Sequence, residues 1–262
     1  MDQETKTFTK QTIHRPDGRQ AGGKLRPLSA EVSSLSRADG SCKYSAGSTQ
    51  LLAAIYGPAP PRIAARERTT EATVAVVFKH GAKNPGGTAI ERVAPPAYGA
   101  TEREVERFIS DALTSCIMVT EYPRTIIEVV IQVIKADGSV VGTALNAAVL
   151  ALMDAGIRMK SLSVATTCMV PMNATSKNFK DGDILFDPTS EEESKEDYSV
   201  VVLATDSVQE GVIASMTFGS FQLVPFLSCI EGASRAGKAI TAFARIAMEQ
   251  KATREAKTLW SI

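Results

Sequence analysis

Histidine is almost missing from these 262 residues: only His14 and His80 occur, the first in a polar stretch and the second just before Gly81. That scarcity excludes a histidine-rich metal site and argues against Ser-His-Asp or Cys-His catalysis. Cysteine is also sparse. Cys42, Cys116, Cys168 and Cys229 each lie more than fifty residues from the next, with no CxxC pair to suggest zinc or redox chemistry. Small or apolar neighbours mark them as buried, reduced thiols. No apolar run approaches the ~20 residues that cross a bilayer. The opening MDQETKTFTKQ has no apolar centre and carries two acids, unlike a secretory signal. Charge of one sign is lacking as well: 29 basic residues balance 29 acidic ones, so a nucleic-acid site must be a local patch.

What remains is globular composition, 44% hydrophobic and 22% charged. Residues 1–24 read as an extended, flexible arm with a turn at ArgProAspGlyArg (15–19), residues 25–257 as one domain, and 258–262 as a tail. Alternation over Glu31–Arg37, a hairpin turn at AspGlySer (39–41) and an apolar run at Gln50–Tyr56 open a β-meander, followed by a strand over Glu71–Lys79. A Gly/Pro-rich stretch from Gly81 to Gly99 is too long for a simple turn. Val105, Phe108, Ile109, Ala112, Leu113, Cys116 and Ile117 then share one face of a helix that Thr101 and Glu104 start with a capping-box pattern. Thr125–Lys135 is a β-branched strand, and Ala144–Ala155 a helix ended by Gly156. Strands are expected at Leu162–Val170, Ile184–Phe186, Ser199–Ala204 and Val212–Phe218, and a helix over Val224–Lys257. This order predicts an α/β or α+β fold with mixed sheets packed against helices.

Short motifs recur in one order: ArgProAspGlyArg (15–19), LeuArgPro (25–27), AspGlySer (39–41), GlySerThrGlnLeu (47–51) and TyrProArg (122–124). AspGlySer (137–139), AsnAlaAlaValLeuAlaLeuMetAspAlaGly (146–156) and AspProThr (187–189) complete the series. Together they resemble the RNase PH family over about residues 25–250, and within it the ring subunits of the eukaryotic RNA exosome. The resemblance implies a ribosomal-protein-S5-like α/β fold with a left-handed βαβ unit, opposite to the general rule. It also implies 3′→5′ phosphorolysis in active members, where phosphate attacks the terminal phosphodiester.

Active relatives carry Gly-Gly-Thr-Arg-Thr after the AspGly strand, and its Arg holds phosphate. Here Val141 stands at that place, Thr143 retains a hydroxyl, and a second family Arg falls near Thr101. Losing such charge-assisted bonds removes several kcal/mol of anion binding, roughly by the usual scale. Of the family's two acids, Asp187 matches the first and Glu193 stands six residues on. Residues 187–197 otherwise read as a solvated acidic loop. The resemblance therefore implies a non-catalytic ring subunit with Asp187, Glu193 and Thr143 as vestiges. It implies no cofactor, no resident metal and no membrane.

The implied partners are other RNase PH-like subunits in a six-membered ring, cap subunits with RNA-binding domains, an associated nuclease and single-stranded RNA. The implied places are nucleus, nucleolus and cytoplasm. Arg62, Arg66, Arg68, Lys79, Lys83 and Arg107 are the candidates for RNA phosphates. Tyr44, Tyr56, Phe78 and Tyr98 are candidate stacking platforms, with packing the alternative for Tyr56 and Phe78. Two rival activities remain: a phosphorolytic exoribonuclease using Asp187 and Glu193 with Ser139 and Thr143, and a metal-dependent hydrolytic nuclease using the 187–197 acids.

Overall fold

The computed structural model describes residues 15–19, 22–63, 67–81, 99–172 and 183–260. Nine strands and four α-helices are described, with β1 Leu28–Val32, β2 Gly40–Ala46, β3 Thr49–Ala59, β4 Thr73–Lys79, α1 Glu102–Cys116, β5 Ile126–Lys135 and α2 Val140–Asp154 in the first half. The second half adds β6 Ser163–Pro171, β7 Leu185–Phe186, α3 Ser190–Glu193, β8 Tyr198–Asp206, β9 Val212–Phe218 and α4 Leu223–Trp260. β1, β2, β3, β5 and β4 form one sheet in that order, and β7, β6, β8 and β9 form a second. β5 pairs antiparallel with β3 but parallel with β4, so α1 is the crossover of a βαβ unit. No described helix is long and apolar enough to cross a membrane.

Burial explains which patterns the sequence displays. α2 packs on β2 and β3 of the first sheet and on β6 of the second. Lying between two sheets, it buries every position from Val140 to Leu152, which accounts for its Ala/Leu/Val composition and lack of a polar stripe. β6 and β8 are buried on both faces, against α2 on one and α4 on the other, and so read as continuous apolar runs. α1 covers β4 and is amphipathic, with the expected capping box between Thr101 and Glu104. Its acids also finish the open edge of β4: Phe78 N–H donates to Glu106 at 2.9 Å and His80 N–H to Glu102 at 3.1 Å.

Several expectations need correction. β1 ends at Val32, with Ser33 at φ 59°, and Gly40 and Ser41 begin β2 instead of making the turn. α2 starts at Val140, four residues before the predicted Ala144, because tertiary burial overrides the weak helix propensity of ValValGlyThr. Residues 190–193 are helical, and Glu192 and Glu193 are buried, so the acidic run is not a solvated loop. Residues 15–19 and 22–24, placed in a flexible arm, include buried Arg15 and Arg19 docked on the second sheet.

Candidate functional site

The predicted acids lie where the end of β7 meets the start of α2. Asp187 directly follows β7 at φ 51°, and Ser139 precedes α2 at φ 52°. Two non-glycine residues in the left-handed region, at one junction, are a local strain that the surrounding bonds must hold. Gly138, at φ 74°, lets this turn approach the Pro188 carbonyl; a Cβ there would collide with it.

Those bonds come from arginines of the docked N-terminal segment. Arg26 Nη2 donates to Asp187 Oδ1 at 2.6 Å, and the Arg26 N–H donates to Oδ2 at 3.0 Å. The same guanidinium donates to Thr49 Oγ1 and to the carbonyls of Asp137 and Gly138, tying the first sheet to the turn before α2. Arg15 grips Glu192 through two bonds, Nε to Oε1 at 2.8 Å and Nη2 to Oε2 at 2.6 Å, with both side chains almost fully buried. Arg15 and Arg19 also donate to the Phe186 and Asp187 carbonyls. Burial pushes the Asp187 and Glu192 carboxyls up, but the hydrogen bonds and charges of Arg26 and Arg15 hold both below the usual range.

Glu193 differs. Its Oε1 accepts the N–H of Ser139, the N-cap residue of α2, at 2.7 Å, the bond that the N3 acid makes in a capping box. Among the described residues no arginine grips it directly. Burial dominates, with Asp187 and Asp137 adding like charge, and its carboxyl is pushed up to about 7. Thr143 turns its hydroxyl back to the Ser139 carbonyl at 2.7 Å, inside its own helix. Val141, at the place of the family arginine, is fully buried in the core. The structure thus joins Asp187, Glu193, Ser139 and Thr143, and the two carboxylates, the Thr143 hydroxyl and the Ser139 backbone are turned to internal partners. Among the described residues no cluster of three or more His, Cys, Asp or Glu side chains is placed to hold a metal.

The RNA candidates are dispersed. Arg62 is exposed before β4 and makes no ion pair with a described residue. Arg68 pairs with Glu71 at 2.6 Å, Lys79 with Glu102 at 3.5 Å and Arg107 with Asp111 at 3.8 Å, all at the surface. The Arg107–Asp111 contact is an i,i+4 pair on the surface of α1, while Glu102, Glu104 and Glu106 bond to Lys79, the Thr101 N–H and the Phe78 N–H. Arg66, Lys83 and Tyr98 lie outside the described residues. Tyr44 and Phe78 are buried and offer no stacking face, whereas Tyr56 is 39% exposed.

Sequence reasoning missed Glu192 and the structural duty of Arg26. The signal for Glu192 was Thr189 three residues earlier, a capping-box pattern that the structure forms, with the Thr189 N–H donating to Glu192 Oε2 at 3.0 Å. Asn146 was also missed as a linchpin. Its amide exchanges two bonds with the Ala165 backbone, at 2.9 and 2.8 Å, acting as a strand partner for the open edge of β6.

Comparison with known proteins agrees with this architecture. Residues 24–158 match the model of the RNase PH 3′ exoribonuclease family, domain 1. A protein of Arabidopsis thaliana called an exosome complex exonuclease RRP46 homolog is 32% identical over 92% of this chain and 98% of its own length. An archaeal exosome complex component Rrp41 from Pyrobaculum calidifontis is 36% identical over 65% of this chain and 70% of its own. The crystal structure of rice (Oryza sativa) Rrp46 superimposes with TM-score 0.71 at 32% identity, covering 88% of this chain and 98% of that one. An Archaeoglobus fulgidus exosome chain, from a structure with RNA bound to its active site, shares the fold at TM-score 0.67 and 18% identity, covering 87% of this chain and 92% of its own. By the family model, the curated relatives and the shared fold, this chain belongs to the RNase PH family of 3′ exoribonucleases.

Proposed function

We propose that this chain is a non-catalytic subunit of the RNA exosome core ring, supporting 3′→5′ RNA processing and decay. The observation that carries the reading is the inward use of the site. Val141, not an arginine, stands in the first turn of α2 and is buried, while both Asp187 oxygens accept bonds from Arg26. Phosphorolysis needs cations facing a free phosphate and an acid facing the leaving oxygen. Here the described cations nearest the acids, Arg15, Arg19 and Arg26, are committed to carboxylates and carbonyls of the chain itself.

In this reading the partners are other RNase PH-like subunits in a six-membered ring, cap subunits with RNA-binding domains and an associated nuclease. Single-stranded RNA passes through the ring, and Arg62, Arg68, Lys79 and Arg107, with Arg66 and Lys83, are the residues proposed to meet its phosphates. The work is done in nucleus, nucleolus and cytoplasm.

The rival is a phosphorolytic exoribonuclease. One observation favours it: Glu193, near neutrality at about 7, is poised as a general acid–base group beside Asp187. The hydrolytic alternative has less support, since Asp187, Glu192 and Glu193 are bonded to arginines or a backbone amide. Purified chain incubated with RNA and magnesium, with and without inorganic phosphate, separates the three. Intact RNA in both buffers is expected. Nucleoside diphosphates appearing only with phosphate overturn the reading, as do monophosphates that persist without phosphate and vanish in Asp187→Asn.

A further inference from the structure

A small chamber of about 20 Å³ lies at the open edge of β6, beside Asp187 and Ser139. β7 covers only Cys168 and Met169 of that edge. Before them, the edge is finished by side chain and turn: Asn146 pairs with Ala165, and the Asp187 N–H donates to the Thr167 carbonyl at 2.8 Å. Thr166 and Thr167 alternate in direction along the strand, and both are among the residues that line the chamber. Ser139 and Asp187 close its polar side, and Leu28 and Ile240 its apolar side.

Both threonine hydroxyls are buried and have no hydrogen-bond partner among the protein atoms. Thr166 is 3% exposed and Thr167 fully buried. Each orphaned hydroxyl costs about 1–3 kcal/mol, so two at one chamber are not an incidental arrangement. The chamber volume matches one water molecule, which needs at least roughly 10–15 Å³ and two to four polar partners. We propose that the chamber binds a single water, bridging at least two of Thr166 Oγ1, Thr167 Oγ1, Ser139 and the Asp187 carboxylate.

Size and charge exclude the other candidates. Inorganic phosphate has five heavy atoms and does not fit a space for one. A monovalent cation finds oxygen donors here, but Asp187 is already neutralised by Arg26 at 2.6 Å, so a second positive charge enters against repulsion. Water carries no such penalty and supplies both a donor and an acceptor. The bound water is then a structural link between β6, β7 and the start of α2, and it holds Asp187 whether or not the chain acts on RNA.

The test combines a high-resolution crystal structure with a count of long-lived internal waters by magnetic relaxation dispersion. The wild-type chain should show one spherical density peak within about 3.2 Å of two or more of the four groups. Thr166→Val with Thr167→Val should lose that peak, and the water count should fall by one. Thr166→Ser with Thr167→Ser keeps both hydroxyls and should retain it. A dry wild-type chamber, with the hydroxyls rotated onto backbone carbonyls, overturns the proposal. So does an ion that exchanges with potassium or rubidium in the soak.

Discussion

Two sets of arginines divide this molecule. Arg15, Arg19 and Arg26 are buried and bonded to carboxylates and carbonyls of their own chain, with the Nε of Arg26 left without a partner among the described residues. Arg62, Arg68 and Arg107 stand in solvent with one surface ion pair or none to the described residues. The side chain is the same, but the surroundings assign opposite duties. A buried guanidinium must be paired, because an unpaired charge there costs several kcal/mol, roughly, and such a residue is spent on the fold. An exposed one gains little from a surface carboxylate and stays available for phosphate. In this chain the acids expected to do chemistry fall on the first side of that division.

The sharpest way to break the comparison is to unpair the buried set. Glu192→Ala leaves Arg15 and the arm without their main anchor and should cost about 3–5 kcal/mol in urea unfolding. Arg15→Met with Glu192→Leu should cost much less than the sum of the single changes, because no buried charge is orphaned. A loss under about 0.5 kcal/mol for Glu192→Ala, the range of an ordinary surface substitution, would place the pair with the surface bridges.

Titration sharpens it next. The Glu193 carboxyl sits at about 7 when folded, above its ordinary 4.5. A raised carboxyl binds more protons in the native state, so its contribution is greatest below pH 4.5 and lost as pH rises through about 7. Wild-type stability should fall by up to about 3 kcal/mol across that window, at about 1.36 kcal/mol per unit, and Glu193→Gln should flatten the curve. Asp187 and Glu192 run the opposite way: their carboxyls are depressed below the ordinary 3.8 and 4.5, so their stabilisation is fully present above pH 4.5 and lost on further acidification.

Asn146→Ala removes both partners of the Ala165 backbone and should cost about 1–3 kcal/mol, with faster hydrogen exchange at the Ala165 amide. The smallest effect belongs to the exposed set. Arg62→Glu with Arg68→Glu should change stability by no more than about 0.5 kcal/mol. The same pair should weaken RNA binding in the assembled ring and lower its salt dependence.

Much of the fold was legible because its local patterns are undiluted. α1 shows a one-face apolar stripe and its cap, and β5 alternates with the burial it meets. α2 was misread at its start because Val140–Thr143 helicity depends on being enclosed by two sheets, which periodicity does not record. The site was half legible. Asp187 and Glu193 could be matched by motif and Val141 by its absence of charge, but the acids' roles depend on contacts 161 and 54 positions away, with Arg26 and with the Ser139 N–H. The Arg26–Asp187 and Arg15–Glu192 pairs span 161 and 177 positions, and no spacing rule reaches that far. Reading 187–197 as a solvated loop failed for the same reason: the neutralising arginines arrive from the other end of the chain.

The most direct test of the central claim is equilibrium binding of inorganic phosphate to the purified chain, measured by calorimetry beside a Val141→Arg variant. With its arginines committed inward, the wild-type chain should show no saturable binding at millimolar phosphate. Saturable binding that Asp187→Asn or Thr143→Val weakens would show an anion site still open beside the acids, and would contradict the account.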